Sequence, residues 1–168
     1  MILHTSTKQY DLDKKILTLK VLKAPWSLRG FILFIAFLTI GLPISGMIFS
    51  IVSGNGLDIK MVLAVLFFGY LAFRLLRIFL WNTYGKETIL FNKGNLLYEA
   101  DYGWFKDAEK HFEYENLDFD TKPVLNKDGM GNLVIKTEKE VCTSVVAIPI
   151  PELKKLIAEL ENAKTIKE

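Results

Sequence analysis

FILFIAFLTIGLPISGMIFSIV, residues 31–52, and MVLAVLFFGYLAFRLLRIFLW, residues 61–81, are the stretches that decide what kind of chain this is. No charged residue occurs from Gly30 to Leu57, and a helix over Phe31 to Val52 reaches about 33 Å, enough to cross a hydrocarbon core of roughly 30 Å. The connection Ser53-Gly54-Asn55-Gly56-Leu57-Asp58 is short and rich in turn formers. Two spans joined this way form an antiparallel hairpin with both of its ends on one side of the bilayer. The first run is too long for the apolar core of a secretory signal and no small-residue cleavage site follows it, so it is expected to stay in the mature protein.

Outward from the spans, charge supplies the orientation. Lys20, Lys23 and Arg29 precede the first span and Arg74, Arg77 and Lys86 flank the end of the second, whereas the connection carries Lys60 alone. The lysine and arginine bias therefore puts both termini in the cytoplasm, as a multi-pass protein of the inner (cytoplasmic) membrane. Residues 1–29 carry six basic against two acidic side chains, and residues 82–168 carry twelve lysines against sixteen carboxylates, a net charge of −4. That distribution excludes a globally basic nucleic-acid surface and leaves the positive charge where phospholipid headgroups would lie. With one cysteine, Cys142, no intramolecular disulfide can form, and its apolar surroundings suit a buried strand position.

Several span residues invite a functional reading. Arg74 and Arg77 lie three apart on one helical face, only about 20 Å of uncharged helix after Met61. Long arginine side chains there snorkel to the inner phosphates, with Trp26 and Trp81 as anchors at the same interface, and the sharper alternative is a specific anionic-lipid or partner site. Gly41 with Ser45, and Gly69 with Ala72, are small pairs at similar depth that would let helix backbones approach, within the hairpin or across a homodimer. Pro43 is expected to kink the first span.

After Trp81 the period becomes strand-like. Glu87 to Phe91 and Leu96 to Ala100 flank the hairpin turn Asn92-Lys93-Gly94-Asn95. Trp104 to Phe112 follows, then Leu117 to Thr121, where Leu117 and Phe119 alternate with Asp118 and Asp120. The loop Asn126 to Gly131 precedes Leu133 to Thr137 and then Val141 to Ile148, which reads as the most buried strand of the set. Pro151 opens an amphipathic helix to residue 162, its stripe formed by Leu153, Leu156, Ile157 and Leu160. The expected plan is a transmembrane hairpin over residues 30–81, plus a small antiparallel β domain over residues 82–168 closed by a C-terminal helix, in the manner of a pleckstrin-homology (PH) domain. Residues 1–29 add strand character at Leu3 to Gln9 and Lys14 to Leu22 around a turn at Tyr10 to Asp13, and could supply strands the domain would otherwise lack.

Trp81-Asn82-Thr83-Tyr84-Gly85-Lys86-Glu87-Thr88-Ile89 leads from the second span into the first strand. In this stretch and in its whole plan the chain resembles small bacterial membrane proteins that carry an N-terminal polar hairpin, two spans and a PH-like cytoplasmic domain. The resemblance implies fold and topology and leaves activity open. Where PH domains bind phosphoinositides they use a basic cluster in the first hairpin, and here that turn offers Lys93, with Lys86 nearby and no arginine, a poor match.

Catalytic motifs are missing from the sequence. Glu109, His111 and Glu113 share one face of a strand, but same-face neighbours about 6.5 to 7 Å apart suit a solvated sheet better than one metal ion. His4 stands alone, and Gly129 and Gly131 sit in a hairpin rather than before a phosphate-binding helix. The expectation is a non-enzyme without cofactor or metal. It would act as a membrane-anchored interaction or scaffold module that touches membrane lipids and a protein partner; the alternative is an accessory subunit that joins a membrane complex through its hairpin.

Overall fold

A computed structural model describes residues 8–125 and 127–165. The order of elements is β1 (Tyr10–Asp13), β2 (Ile16–Lys20), α1 (Trp26–Val52), α2 (Ile59–Tyr84), β3 (Lys86–Asn92), β4 (Asn95–Asp101), β5 (Lys106–Glu113), β6 (Asp118–Pro123), β7 (Met130–Lys136), β8 (Val141–Pro149) and α3 (Ile150–Thr165). The chain divides into two compact units, residues 23–84 and residues 1–22 with 85–168.

The first unit is a helical hairpin. Both helices are long and apolar enough to span a membrane, and few of their residues are buried by the protein itself. They run past the apolar windows at the outer ends, α1 from Trp26 and α2 to Tyr84. Asp58 starts α2 as an N-cap, its Oδ1 accepting the Lys60 N–H at 3.0 Å. Pro43 lies inside α1. The helices pack on each other, and a Cβ added at Gly69 would stand 3.4 Å from Ile40 Cδ1.

The second unit holds two antiparallel sheets, β1-β2-β3-β4-β5 and β6-β7-β8. Alternation builds the core, because side chains two apart share a sheet face. Leu17 and Leu19 of β2, Ile89 of β3, Leu96 and Tyr98 of β4, Leu133 and Ile135 of β7 and Ile148 of β8 are all buried. Helix α3 lies on the three-stranded sheet, with Leu153, Leu156 and Leu160 buried. Gly131 permits that approach, since a Cβ there would come 3.2 Å from Leu153 Cδ2. On the other side of α3, Glu159 accepts a hydrogen bond from the Tyr10 hydroxyl of edge strand β1 at 2.9 Å.

β2 pairs with β3 along its whole length, from Ile16 opposite Leu90 to Lys20 opposite Lys86. The helical hairpin is thus inserted between two neighbouring strands of one sheet. The N-terminal register differs from the sequence expectation: Tyr10–Asp13 is strand, and the turn is Lys14-Lys15, with Lys14 at φ 47°. A turn with neither glycine nor asparagine carries no local signal, whereas Asp11 and Asp13 imitate one. Of the strand expected at Leu3 to Gln9, residues 3–7 lie outside the described residues. Trp104 falls in the turn before β5, not in the strand. β8 is only half buried, with Val141 60% and Val145 65% exposed, and β7, central in its sheet, is the more covered strand. β-Branched residues on both faces, Val141 and Val145 on one and Val146 and Ile148 on the other, conceal which face meets solvent.

Candidate functional site

Turns brought together from distant parts of the sequence form an open mouth at one end of the β unit. The β1–β2 turn supplies Lys14 and Lys15, the β3–β4 turn Lys93 and Gly94, the β5–β6 connection Tyr114 to Leu117, and α3 Leu160 and Ala163. They enclose a cavity of about 540 Å³, a size that suits small ligands or a docked side chain. Its floor is apolar: Leu12, Phe91, Leu117, Phe119 and Leu160, with the Phe91 and Phe119 rings edge to face at 6.3 Å. The rim carries three lysines and Glu115.

The mouth is braced. Tyr114 donates its hydroxyl to the Asn92 carbonyl at 2.7 Å and its N–H to the Gly94 carbonyl at 3.1 Å, which ties the β5–β6 connection to the β3–β4 turn. The Glu138 carboxylate accepts the N–H groups of Glu115 and Asn116. Backbone N–H groups, its own first and then those of Asn116 and Glu115, hold that carboxylate below the usual range. Lys93 was visible in the sequence as a turn lysine. Lys14 and Lys15 were not visible as its neighbours, because only the β2–β3 pairing across the inserted hairpin puts the two turns side by side.

Deeper in the unit, Glu87 joins the two sheets. Its Oε1 accepts the Tyr98 hydroxyl at 2.8 Å, the Val145 N–H at 2.6 Å and the Val146 N–H at 3.3 Å. The last two donors are released by an irregularity in the β7–β8 pairing, where the register shifts between Asn132 and Val134. Ser144 Oγ accepts the Leu133 N–H at 2.9 Å, and Asn132 Nδ2 donates to the Ser144 carbonyl at 2.7 Å, so side chains satisfy the polar groups the bulge frees. Glu87 is fully buried and its Oε2 has no partner. Burial raises its pKa, against the pull of the three hydrogen bonds. Burial, followed by the charge of Glu87, pushes the Cys142 thiol up to about 11, which makes it an inert core residue at neutral pH.

The span residues separate by surroundings. Trp26 is 82% exposed and Arg74 is exposed, while Arg77 and Trp81 are half-buried. Gly69 and Ala72 lie where α2 packs. Gly41 has no neighbouring atom within 4 Å of an added Cβ, and Ser45 is exposed, its hydroxyl donated to the Leu42 carbonyl. The two small pairs therefore do not meet within the hairpin: Gly69 abuts Ile40 and not Gly41. On β5, Glu109 and His111 contact each other at 3.1 Å in full exposure. Among the described residues no group of three or more His, Cys, Asp or Glu is arranged to hold a metal.

Compared with protein-family models, with curated proteins and with solved structures, the chain gives no match.

Proposed function

We propose that the chain is a non-catalytic interaction module of the small bacterial two-span family, anchored in the inner membrane by α1 and α2. Its PH-like domain takes a protein partner at the mouth between the sheets. Lipid is the solvent that fits two long helices with uncovered apolar surfaces, and the flanking lysines and arginines favour a cytoplasmic position for the β unit. Five strands, three strands and a C-terminal helix lying on the smaller sheet support the PH-like reading.

The mouth is the observation that carries the function. An apolar floor ringed by Lys14, Lys15 and Lys93 suits a segment that inserts an apolar side chain beside a carboxylate. The test is native purification in mild detergent of the wild type and of a variant carrying Lys14→Glu, Lys15→Glu and Lys93→Glu. Loss of a soluble partner from the reversed-charge variant supports the reading, and its retention ends it. Stoichiometric membrane partners that stay bound when the β unit is removed would instead make the chain an accessory subunit.

A further inference from the structure

We propose that the β4–β5 turn is a membrane-docking point, with Trp104 seated in the lipid interface; this rests on the membrane reading above. The turn is Tyr102-Gly103-Trp104-Phe105, and Trp104 at its apex is 70% exposed. An indole combines a large apolar surface with one N–H donor, which is why tryptophan is enriched where hydrocarbon meets water. Of the three tryptophans in the chain, Trp26 and Trp81 belong to the apolar helices and Trp104 alone to the β unit.

The pairing within the β unit supplies the second argument. Lys20 is opposite Lys86, Lys86 opposite Asp101, and Asp101 opposite Lys106. The end of the sheet that carries the β4–β5 turn is therefore the end at which β2 runs out toward the first apolar helix and β3 begins after the second. One strand spacing, about 4.8 Å, separates β3 from β4. Trp104 is thus tethered within a few strand widths of both points where the chain departs for the apolar helices, at the opposite end of these strands from the mouth.

The turn is also built to hold the indole outward. Gly103 takes φ 86°, and its N–H is held by Asp101 Oδ1 at 2.7 Å. The Tyr102 N–H donates to the Phe105 carbonyl at 2.9 Å, and the rings of Tyr102 and Phe105 stack at 4.8 Å and 12°. The two lysines beside the turn are both paired, Lys86 with Asp101 at 3.2 Å and Lys106 with Glu99 at 2.8 Å. A contact made here depends on the ring and is insensitive to salt.

The experiment uses the full chain carrying Trp26→Phe and Trp81→Phe, so that Trp104 is the sole tryptophan, in phosphatidylcholine and phosphatidylglycerol vesicles. Docking gives blue-shifted emission, quenching by lipids brominated near the headgroup and protection from aqueous iodide, all unchanged at high salt. Iodide quenching without bromolipid quenching, in a chain that resists carbonate extraction, overturns the docking and leaves the membrane reading standing. Release by carbonate overturns both. Bromolipid quenching that vanishes at high salt overturns the proposal by assigning the contact to the lysines. Trp104→Ser in the otherwise unchanged chain guards against an effect of the phenylalanine substitutions: it should lower the bromolipid-quenched part of the wild-type emission by the share of Trp104, leaving that of Trp26 and Trp81, and an unreduced quenched component would overturn the proposal.

Discussion

Leu42 and Leu133 are the same side chain in opposite circumstances. Leu42, on α1, is 67% exposed, and Leu133, on β7, is 0% exposed. The helical hairpin carries apolar residues all round and leaves many of them exposed, whereas the β unit places them on alternate positions and seals them between two sheets and a helix. One chain is thus written for two solvents, and hydrophobicity alone does not say where a residue ends up. Period and length decide: unbroken runs of about 20 residues suit lipid, and two-residue alternation over short segments suits a protein core.

The largest expected effect follows from that contrast. Leu133→Ala should destabilise the β unit by about 2–5 kcal/mol, because a sealed core loses contacts and keeps part of the cavity. Leu42→Ala should leave the same unfolding transition in place. Denaturant titration in detergent, followed by tyrosine absorbance, compares the two. Equal shifts would break the distinction between the units.

Glu87 tests the comparison from the polar side, as a carboxylate enclosed in the sealed unit. Glu87→Ala orphans the Val145 and Val146 N–H groups and the Tyr98 hydroxyl, and should cost about 3 kcal/mol. Glu87→Gln keeps an acceptor and removes the titration. Burial raises the folded-state pKa of Glu87 above the ordinary 4.5, so the folded protein binds its proton more tightly than the unfolded chain does. The stability of the wild type relative to Glu87→Gln should therefore fall as pH rises from about 4.5 through the raised value, then level off. A stability difference independent of pH from 4 to 8, or one of opposite slope, would show that the carboxylate is not enclosed as described.

Gly131 marks a close approach of α3 to the three-stranded sheet. Gly131→Val should cost roughly 1–3 kcal/mol through overpacking against Leu153. Gly41→Val, on the uncovered face of α1, should leave the β unit's transition unchanged. Thermal unfolding of both variants measures the contrast.

The legible parts of the sequence were those with strong period or strong turn chemistry. The two helices follow from uncharged length, and β3 and β4 follow from alternation around Asn92-Lys93-Gly94-Asn95, with Gly94 at φ 73°. The Lys14-Lys15 turn escaped because no residue there prefers a positive φ, and with it went the lysine rim of the mouth. Glu87 lay in plain view in the stretch that leads from the second apolar helix into β3. Its burial was not legible, because its partners at Val145 and Val146 are 58 and 59 residues away and are exposed as donors only by a shift in register. Such irregularities are settled by tertiary pairing, on which a local reading of sequence has no purchase.

The smallest effect sharpens the same lesson at the exposed edge of the five-stranded sheet. Ala108 of β5 sits at φ 57°, where the pairing with β4 skips between Tyr98 and Ala100. An L residue with a Cβ pays about 1–2 kcal/mol to adopt that region, and glycine adopts it freely. Unlike the bulge at Glu87, this one faces solvent, and the Ala108 N–H donates to the neighbouring Asp107 Oδ1 at 2.7 Å. Ala108→Gly should therefore stabilise the β unit by about 1 kcal/mol, after the added backbone freedom of glycine in the unfolded chain is subtracted. The same replacement at Ala100, buried on β4 and paired with Glu87 of β3, should destabilise it, since there the methyl is packed and no positive φ is relieved. Opposite signs in one denaturant titration would show that the edge irregularity is held in place by its neighbours against the preference of its own residue; equal signs would place the strain elsewhere.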